Sequence, residues 1–137
     1  MTDLEKIINE AWENKEDINQ NSDESIKSFI NKIIEDLDKG KIRVAEKINN
    51  KWITHQYIKK AIMLSFRING MESLSGPYSS WYDKAHLLKG KTAGWNKEDF
   101  EKAGFRMVPN SPVRKGSYIG KNVVLMPCFI NTGAYIG

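Results

Sequence analysis

Apolar residues in the first half of the chain recur at the period of an α-helix in three segments. Helices are predicted over Asp3–Asn14, Asp23–Lys39 and Thr54–Asn69, because the apolar residues of each segment fall on one face every three or four positions. The third segment is apolar around most of its circumference, which is typical of a buried helix. The stripe expected to be buried on the second helix comprises Ile26, Phe29, Ile30, Ile33, Ile34 and Leu37.

Residues at the helix ends support these boundaries. Thr2 and Glu5 have the spacing of a capping box, in which two side chains satisfy free amides of the first turn. Ser22 and Thr54 are predicted to cap the second and third helices. Gly40 stands just after the second helix, where a positive φ is often required.

Between the second and third helices the pattern changes to that of a β-hairpin. The hairpin is predicted from Ile42 to Ile53, with Asn49 and Asn50 at its turn, because asparagine tolerates a positive φ. Residues 70–95, from Gly70 to Trp95, are rich in glycine and serine and are predicted to form a long irregular connection.

A short fourth helix and a strand are predicted next. Asn96 is suited to cap this helix, and Gly104 is suited to end it. Phe105–Val108 is predicted to be a strand, and Pro109 marks a boundary. We therefore divide the chain into a helical domain, residues 1–109, and a second unit, residues 110–137.

From residue 113 onward the chain follows a six-residue period. Branched apolar residues stand at Val113, Ile119, Leu125, Ile130 and Ile136, with one residue missing after the third of them. Hexads of this kind favour a β-helix, in which one aliphatic residue of each short strand points inward, over two strands at the edge of a sandwich. The predicted fold class is α+β, a helical domain followed by the first coils of a β-helix. Because the repeat stops without a cap, we expect the natural protein to continue.

Composition excludes several classes of protein. The net charge is +4, but lysines are mixed with carboxylates and no nucleic-acid-binding motif is present, so no nucleic-acid partner is expected. No apolar run is long enough to cross a membrane, and the N-terminus does not resemble a signal peptide. A single cysteine excludes an internal disulfide, so a cytoplasmic location is expected.

Four stretches of the chain resemble the bacterial tetrahydrodipicolinate N-succinyltransferases in order and spacing. They are RVAEKI, KWITHQYIKKAIMLSFRI, GFRMVP and VRKGSYIGKNVVLMPCFINTGAYIG. The resemblance implies a homotrimer of subunits with a helical domain and a left-handed parallel β-helix. It also implies transfer of a succinyl group from succinyl-CoA, as co-substrate, to the amine of ring-opened tetrahydrodipicolinate in diaminopimelate and lysine biosynthesis. No metal or tightly bound cofactor is implied.

The resemblance covers about half of a typical member, which limits the site residues expected here. The family's catalytic aspartate is expected downstream of Gly137, so no catalytic residue is assigned and the chain alone is expected to be inactive. Arg106 matches the arginine of the GFR strand, which contacts the dicarboxylate amine acceptor. Without the resemblance, Arg106 would be interpreted as a surface arginine paired with a carboxylate.

The remaining polar candidates are given structural roles. Arg67 is expected to bind a carboxylate or backbone carbonyls, and Arg114 and Lys115 are expected to lie on a solvated face. His55 and His86 have no companions at metal-ligand spacing, so no metal site is expected. Cys128 is predicted to be a small core residue. The residues predicted to pack rather than to stack on a ligand are Trp12, Trp52, Trp81 and Trp95.

Two alternative functions fit the sequence. One is another hexapeptide-repeat acyltransferase that uses acetyl-CoA or a sugar-nucleotide acceptor, which would not need the carboxylate clamp assigned to Arg106. The other is a non-catalytic module in which the helical domain serves trimer assembly. The sequence downstream of Gly137 would discriminate between them.

Overall fold

The computed structural model describes all residues, 1–137, and the chain is α+β, as predicted. The α-helices are α1 (Asp3–Glu13), α2 (Glu24–Asp38), α3 (Gln56–Arg67), α4 (Ala85–Leu88) and α5 (Lys97–Ala103). The strands are β1 (Ala45–Ile48), β2 (Lys51–Thr54), β3 (Met71–Ser75), β4 (Ser80–Lys84), β5 (Arg106–Met107), β6 (Tyr118–Ile119), β7 (Val124–Leu125) and β8 (Tyr135–Ile136). A short 3₁₀ helix, Lys15–Asp17, follows α1.

Helices α1, α2 and α3 pack together and bury the first core of the chain. The first core comprises Ile8, Ala11, Ile30, Ile33, Ile34, Leu37, Ile58, Ala61, Leu64 and Ile68. The predicted stripe of α2 is therefore largely correct, but Phe29 is exposed because it lies off the buried face. Helix α3 also buries one face only, since Met63 is 53% exposed.

Among the first three predicted helices, the N-terminal cap is correct at one and wrong at two. Thr2 and Glu5 form the capping box of α1, with hydrogen bonds of 2.6 and 3.2 Å. Asp23, not Ser22, precedes α2, and the Ser22 hydroxyl instead accepts a hydrogen bond from the Asn19 amide at 2.9 Å. Thr54 is the last residue of β2 and does not cap α3.

The first hairpin, β1–β2, is present as predicted, although its strands are shorter. Asn49 and Asn50 form the turn with φ values of 48° and 66°. Ile42 and Val44 precede the strands and pack against the first core instead. Trp52 was predicted to pack, but it lies on β2 and is 72% exposed.

The predicted irregular connection over residues 70–95 is wrong, because it contains a second antiparallel hairpin, β3–β4, and helix α4. Leu74 lies opposite Trp81, whose ring covers Gly76 near the turn. Serines and charged residues dominate both strands, so the alternation that usually reveals a strand is weak. Trp81 is 43% exposed, so its predicted burial is only partial.

The last part of the chain forms parallel pairs between its hexads. Strand β5 pairs with β7 and strand β6 with β8, both in parallel. Ile119 lies opposite Ile136, and Val113 forms a parallel bridge with Ile130. The branched residue of one hexad thus lies beside the branched residue three hexads further along the chain. A second core forms beneath them from Phe105, Val113, Ile119 and Leu125, with Ile130 and Ile136 partly buried against it.

Candidate functional site

Arg106 is fixed in place by the strand that carries it. Its amide donates to the Val123 carbonyl oxygen at 2.9 Å, which belongs to the parallel pairing of β5 with β7. Phe105 and Met107 on either side pack in or against the second core, so the Arg106 side chain between them is directed outward and is exposed.

The fourth predicted helix and its caps are confirmed: α5 begins after Asn96 and ends at Gly104, whose φ is +81°.

A shallow groove of about 430 Å³ lies beside Arg106. One wall comes from α5 and the other from β5 and the residues leading into β7. Its lining combines cations and apolar surface with one carboxylate, Glu101, which lies 3.6 Å from Lys97. The residues that line the groove are Lys97, Phe100, Glu101, Gly104, Phe105, Arg106, Asn122, Val123 and Val124. A ligand with a carboxylate and an aliphatic chain would find both kinds of partner there.

Among the four arginines of the chain, Arg106 alone makes no ion pair, side-chain hydrogen bond or cation–π contact within it. Arg67 pairs with Glu16 at 3.2 Å, which confirms the predicted carboxylate partner, although the pair is exposed. The guanidinium of Arg43 lies 3.4 Å from the centroid of the Tyr135 ring. Arg106 therefore remains available for a ligand.

The prediction of a solvated face for Arg114 and Lys115 is wrong for Arg114. Its guanidinium donates to Asp83 at 2.9 Å and to Asn131 at 3.3 Å, and the side chain is only 25% exposed. Lys115 is exposed but forms an ion pair with Glu35 at 3.4 Å. The missed hairpin explains the error at Arg114, because Asp83 belongs to β4.

A partly buried polar cluster that the sequence did not reveal joins α2 to the second half of the chain. The Asp38 carboxylate accepts from the Gly116 amide at 2.9 Å and lies 3.1 Å from the ammonium of Lys91. Lys91 also donates to the Asp38 carbonyl, and its side chain is only 7% exposed. In the sequence, Asp38 is one of several mixed charges and Lys91 stands in a glycine-flanked loop, so no sequence pattern indicated that the two side chains form an ion pair.

The same junction includes two further contacts. A hydrogen bond from Lys39, reinforced by the charge of Lys115, lowers the pKa of the Glu35 carboxyl. Gly40 lies against the Tyr118 ring with a φ of +70°, and a Cβ there would approach Tyr118 Cδ2 to 2.5 Å. Glycine is thus required at residue 40 both for its conformation, as predicted, and for the close approach of Tyr118.

The histidines and the cysteine lie away from the groove. His55 Nε2 lies 2.7 Å from a Glu46 oxygen, and His86 Nε2 lies 3.4 Å from the Ser65 hydroxyl. Burial lowers the pKa of His86, whose Nδ1 has no hydrogen-bond partner. Cys128 is partly buried and packs against the second core, as predicted. The structure contains no group of three His, Cys, Asp or Glu side chains placed to bind a metal ion.

None of the helices has the length and apolar character needed to cross a membrane.

Comparison with known proteins finds similarity to N-succinyltransferase sequences. Residues 3–68 match the family model described as tetrahydrodipicolinate N-succinyltransferase N-terminal. The chain is 70% identical over 136 residues to the 2,3,4,5-tetrahydropyridine-2,6-dicarboxylate N-succinyltransferase of Pelagibacter ubique, covering 99% of this chain and 50% of that protein. The protein of the same name from Actinobacillus succinogenes is 49% identical over 134 residues, covering 97% of this chain and 48% of that protein.

The chain thus spans about half the length of the curated relatives it matches. The match to the family's N-terminal model and the identity over nearly the whole chain confirm the resemblance seen in the sequence. The chain is related, from end to end, to the N-terminal half of the tetrahydrodipicolinate N-succinyltransferases.

Proposed function

We propose that this chain provides the acceptor-binding part of an enzyme that succinylates ring-opened tetrahydrodipicolinate with succinyl-CoA in diaminopimelate and lysine biosynthesis. The relatives that share its sequence carry the name of that activity. The observation that carries the proposal is Arg106, an exposed arginine without a partner in the chain, mounted on a paired strand beside a groove.

In the proposed reaction Arg106 binds one carboxylate of the acceptor. A guanidinium stays charged and offers two parallel N–H donors, so it fixes the direction of a carboxylate as well as neutralising it. The backbone of a paired strand is rigid, which helps to keep the guanidinium in one orientation. Phe100 and Val124 supply apolar surface beside it for the aliphatic chain of the acceptor. The clamp distinguishes a dicarboxylate acceptor from the sugar acceptors of other hexapeptide-repeat acyltransferases.

Attack of the acceptor amine on the thioester also requires a base for the ammonium proton and donors for the oxyanion. We assign neither to this chain and expect both in the half of the relatives that it does not cover. This chain alone is therefore expected to show negligible succinyl transfer, since loss of a general base typically removes about 10²–10⁴-fold in rate.

We further propose that residues 110–137 form the first coils of a left-handed parallel β-helix, and that the whole protein is a homotrimer. The parallel pairing of hexads supports the first proposal. Exposed apolar side chains on the outside of this region, Val124, Met126 and Phe129, support the second, because such surface is often covered in an oligomer. A cytoplasmic location is proposed with them.

The test uses a chimera in which this chain replaces the matching half of the Pelagibacter ubique relative. Replacing Arg106 with Lys should lower kcat/KM for the acceptor about 10- to 150-fold, because removing a hydrogen bond to a charged group costs roughly 1.5–3 kcal/mol. The KM for succinyl-CoA should change little. Arg67→Lys is the matched control, since Arg67 is exposed and lies in the helical region.

Steady-state kinetics with both substrates varied would separate the outcomes. A chimera that transfers no succinyl group, although it folds and trimerises, would argue against the proposed activity. An unchanged acceptor response in Arg106→Lys, together with a weakened succinyl-CoA response, would show that Arg106 binds the other substrate.

A further inference from the structure

Three aromatic rings form a compact support behind the groove. Trp95 lies 5.1 Å from Phe100 and 5.8 Å from Phe105, and the two phenylalanine rings are 6.0 Å apart, all measured between ring centroids. Two of the three pairs are edge-to-face, an arrangement that adds to the stability gained by burial alone. Each ring contacts both others, so none can shift without moving its neighbours.

Each phenylalanine of this triad belongs to a different wall of the groove. Phe100 lies on α5, whereas Phe105 directly precedes Arg106 on the opposite wall and is only 6% exposed. Trp95 does not line the groove but contacts both. The indole therefore sets the spacing between the helix and the strand that carries the guanidinium.

The chain around Trp95 is itself constrained. The Trp95 amide donates to the Thr92 carbonyl oxygen at 3.0 Å, and the next residue, Asn96, forms the capping box of α5 with Asp99. At the other end of α5, Gly104 has a φ of +81°, and a Cβ there would lie 3.0 Å from the side chain of Lys121. Both ends of the helix are thus fixed, and the triad fixes its middle.

We propose that Trp95 is a positioning residue for acceptor binding, acting through Phe105 and Phe100 on the Arg106 guanidinium. This inference rests on the proposed function, because it assigns Trp95 to the site that binds the acceptor. Removing the indole would leave a cavity beneath both walls, and the strand and helix could then relax independently. A displacement of about 1 Å at a positioned group can cost roughly 100-fold in rate.

Two measurements test the proposal. In this chain, Trp95→Ala should accelerate hydrogen exchange of the Arg106 amide, which bonds to Val123, relative to the amides of α2. In the chimera, Trp95→Ala should lower kcat/KM for tetrahydrodipicolinate about tenfold or more, with little change in the KM for succinyl-CoA. Trp95→Phe keeps an aromatic ring and should restore most of both properties.

Two control variants separate positioning from general loss of stability. Trp52→Ala removes an exposed indole from β2 and should leave both measurements unchanged. Leu64→Ala weakens the first core and should lower thermal stability without a selective effect on the acceptor. If Leu64→Ala weakens the acceptor response as much as Trp95→Ala does, the effect is general and the proposal is wrong.

The remaining outcomes distinguish this proposal from the proposed function. If Arg106→Lys impairs acceptor use but Trp95→Ala does not, the proposed function stands and the positioning role is refuted. Unchanged exchange of the Arg106 amide in Trp95→Ala also refutes it, whatever the kinetics show. If Arg106→Lys has no effect on kcat/KM for the acceptor, the proposed role of Arg106 is wrong, and the role of Trp95 that rests on it is wrong too. Faster exchange of the Arg106 amide in Trp95→Ala would then show only that the indole stabilises the strand.

Discussion

The two cores of this chain bury their apolar residues to different degrees. Helices α1, α2 and α3 enclose ten buried residues, and six of them are less than 2% exposed. The second core has four buried residues, none below 3% exposed, and a wider set of partly buried neighbours. The first core is assembled by faces of continuous helices, whereas the second depends on parallel pairing between short strands that are not consecutive in the chain. Packed helix faces can thus bury their apolar residues fully, whereas the short parallel strands leave several of theirs partly exposed to solvent.

The largest expected effects come from the same substitution made in each core. Leu64→Ala should destabilise the chain by about 2–5 kcal/mol, because Leu64 is fully buried and its neighbours cannot collapse freely. Leu125→Ala should cost less, since its surroundings are partly open. Met63→Ala and Met126→Ala remove adjacent exposed side chains and serve as controls. Urea denaturation measures all four, and equal costs at Leu64 and Leu125 would contradict the comparison.

The next effect concerns the polar cluster that joins the two regions. Asp38→Ala should destabilise the chain by about 1.5–3 kcal/mol, because it removes the carboxylate that pairs with the Lys91 ammonium and accepts from the Gly116 amide. The matched control is Lys97→Ala, which breaks an exposed pair with Glu101 and should cost under about 1 kcal/mol. A similar cost for both variants in urea denaturation would show that the cluster does not hold the regions together.

The helix caps allow a smaller test on each side of the molecule. Thr2→Ala and Asn96→Ala each remove one side of a capping box and should each cost about 1 kcal/mol. The loss at Asn96 should be the larger, because α5 has only seven residues and supports the second core. Thermal denaturation compares the two variants, and a larger loss at Thr2 would mean that the end of α1 is more important than its exposure suggests.

The smallest expected effect is a pH dependence that originates at His86. Burial lowers its pKa from 6.5, so the folded chain binds a proton less readily than the unfolded chain does. The contribution of His86 to the free energy of unfolding should therefore be fully present above pH 6.5 and decrease as the pH falls below that value toward the lowered pKa. Urea midpoints at several pH values should show a weaker decrease in His86→Gln. An identical decrease would place the responsible group elsewhere.

Local signals in the sequence were sufficient for elements stabilised within themselves. The asparagine turn of the first hairpin, the capping box of α1, and the Asn96 cap and Gly104 end of α5 were found where predicted. Apart from the caps predicted at Ser22 and Thr54, errors arose where a residue's environment comes from distant segments. Serine-rich β3 carried no strand signal, and the partner of Arg114 lies on the hairpin that was missed.

Arg106 shows what each level of information decides about the site. Arg106 was proposed as a binding residue from the sequence, through the resemblance to a known motif, but the groove and the absence of an internal partner appear only when α5, β5 and β7 come together. Asp38 and Lys91 had no local signal, because their contact joins segments far apart in the chain. Trp95 was predicted to pack, but its place between the rings of Phe100 and Phe105 was not. The sequence by itself determined the helices, turns and six-residue period, since these depend on residues a few positions apart. Only the tertiary structure decided which charges pair, which remain free and which rings pack together, because these depend on distances between segments that no local pattern encodes.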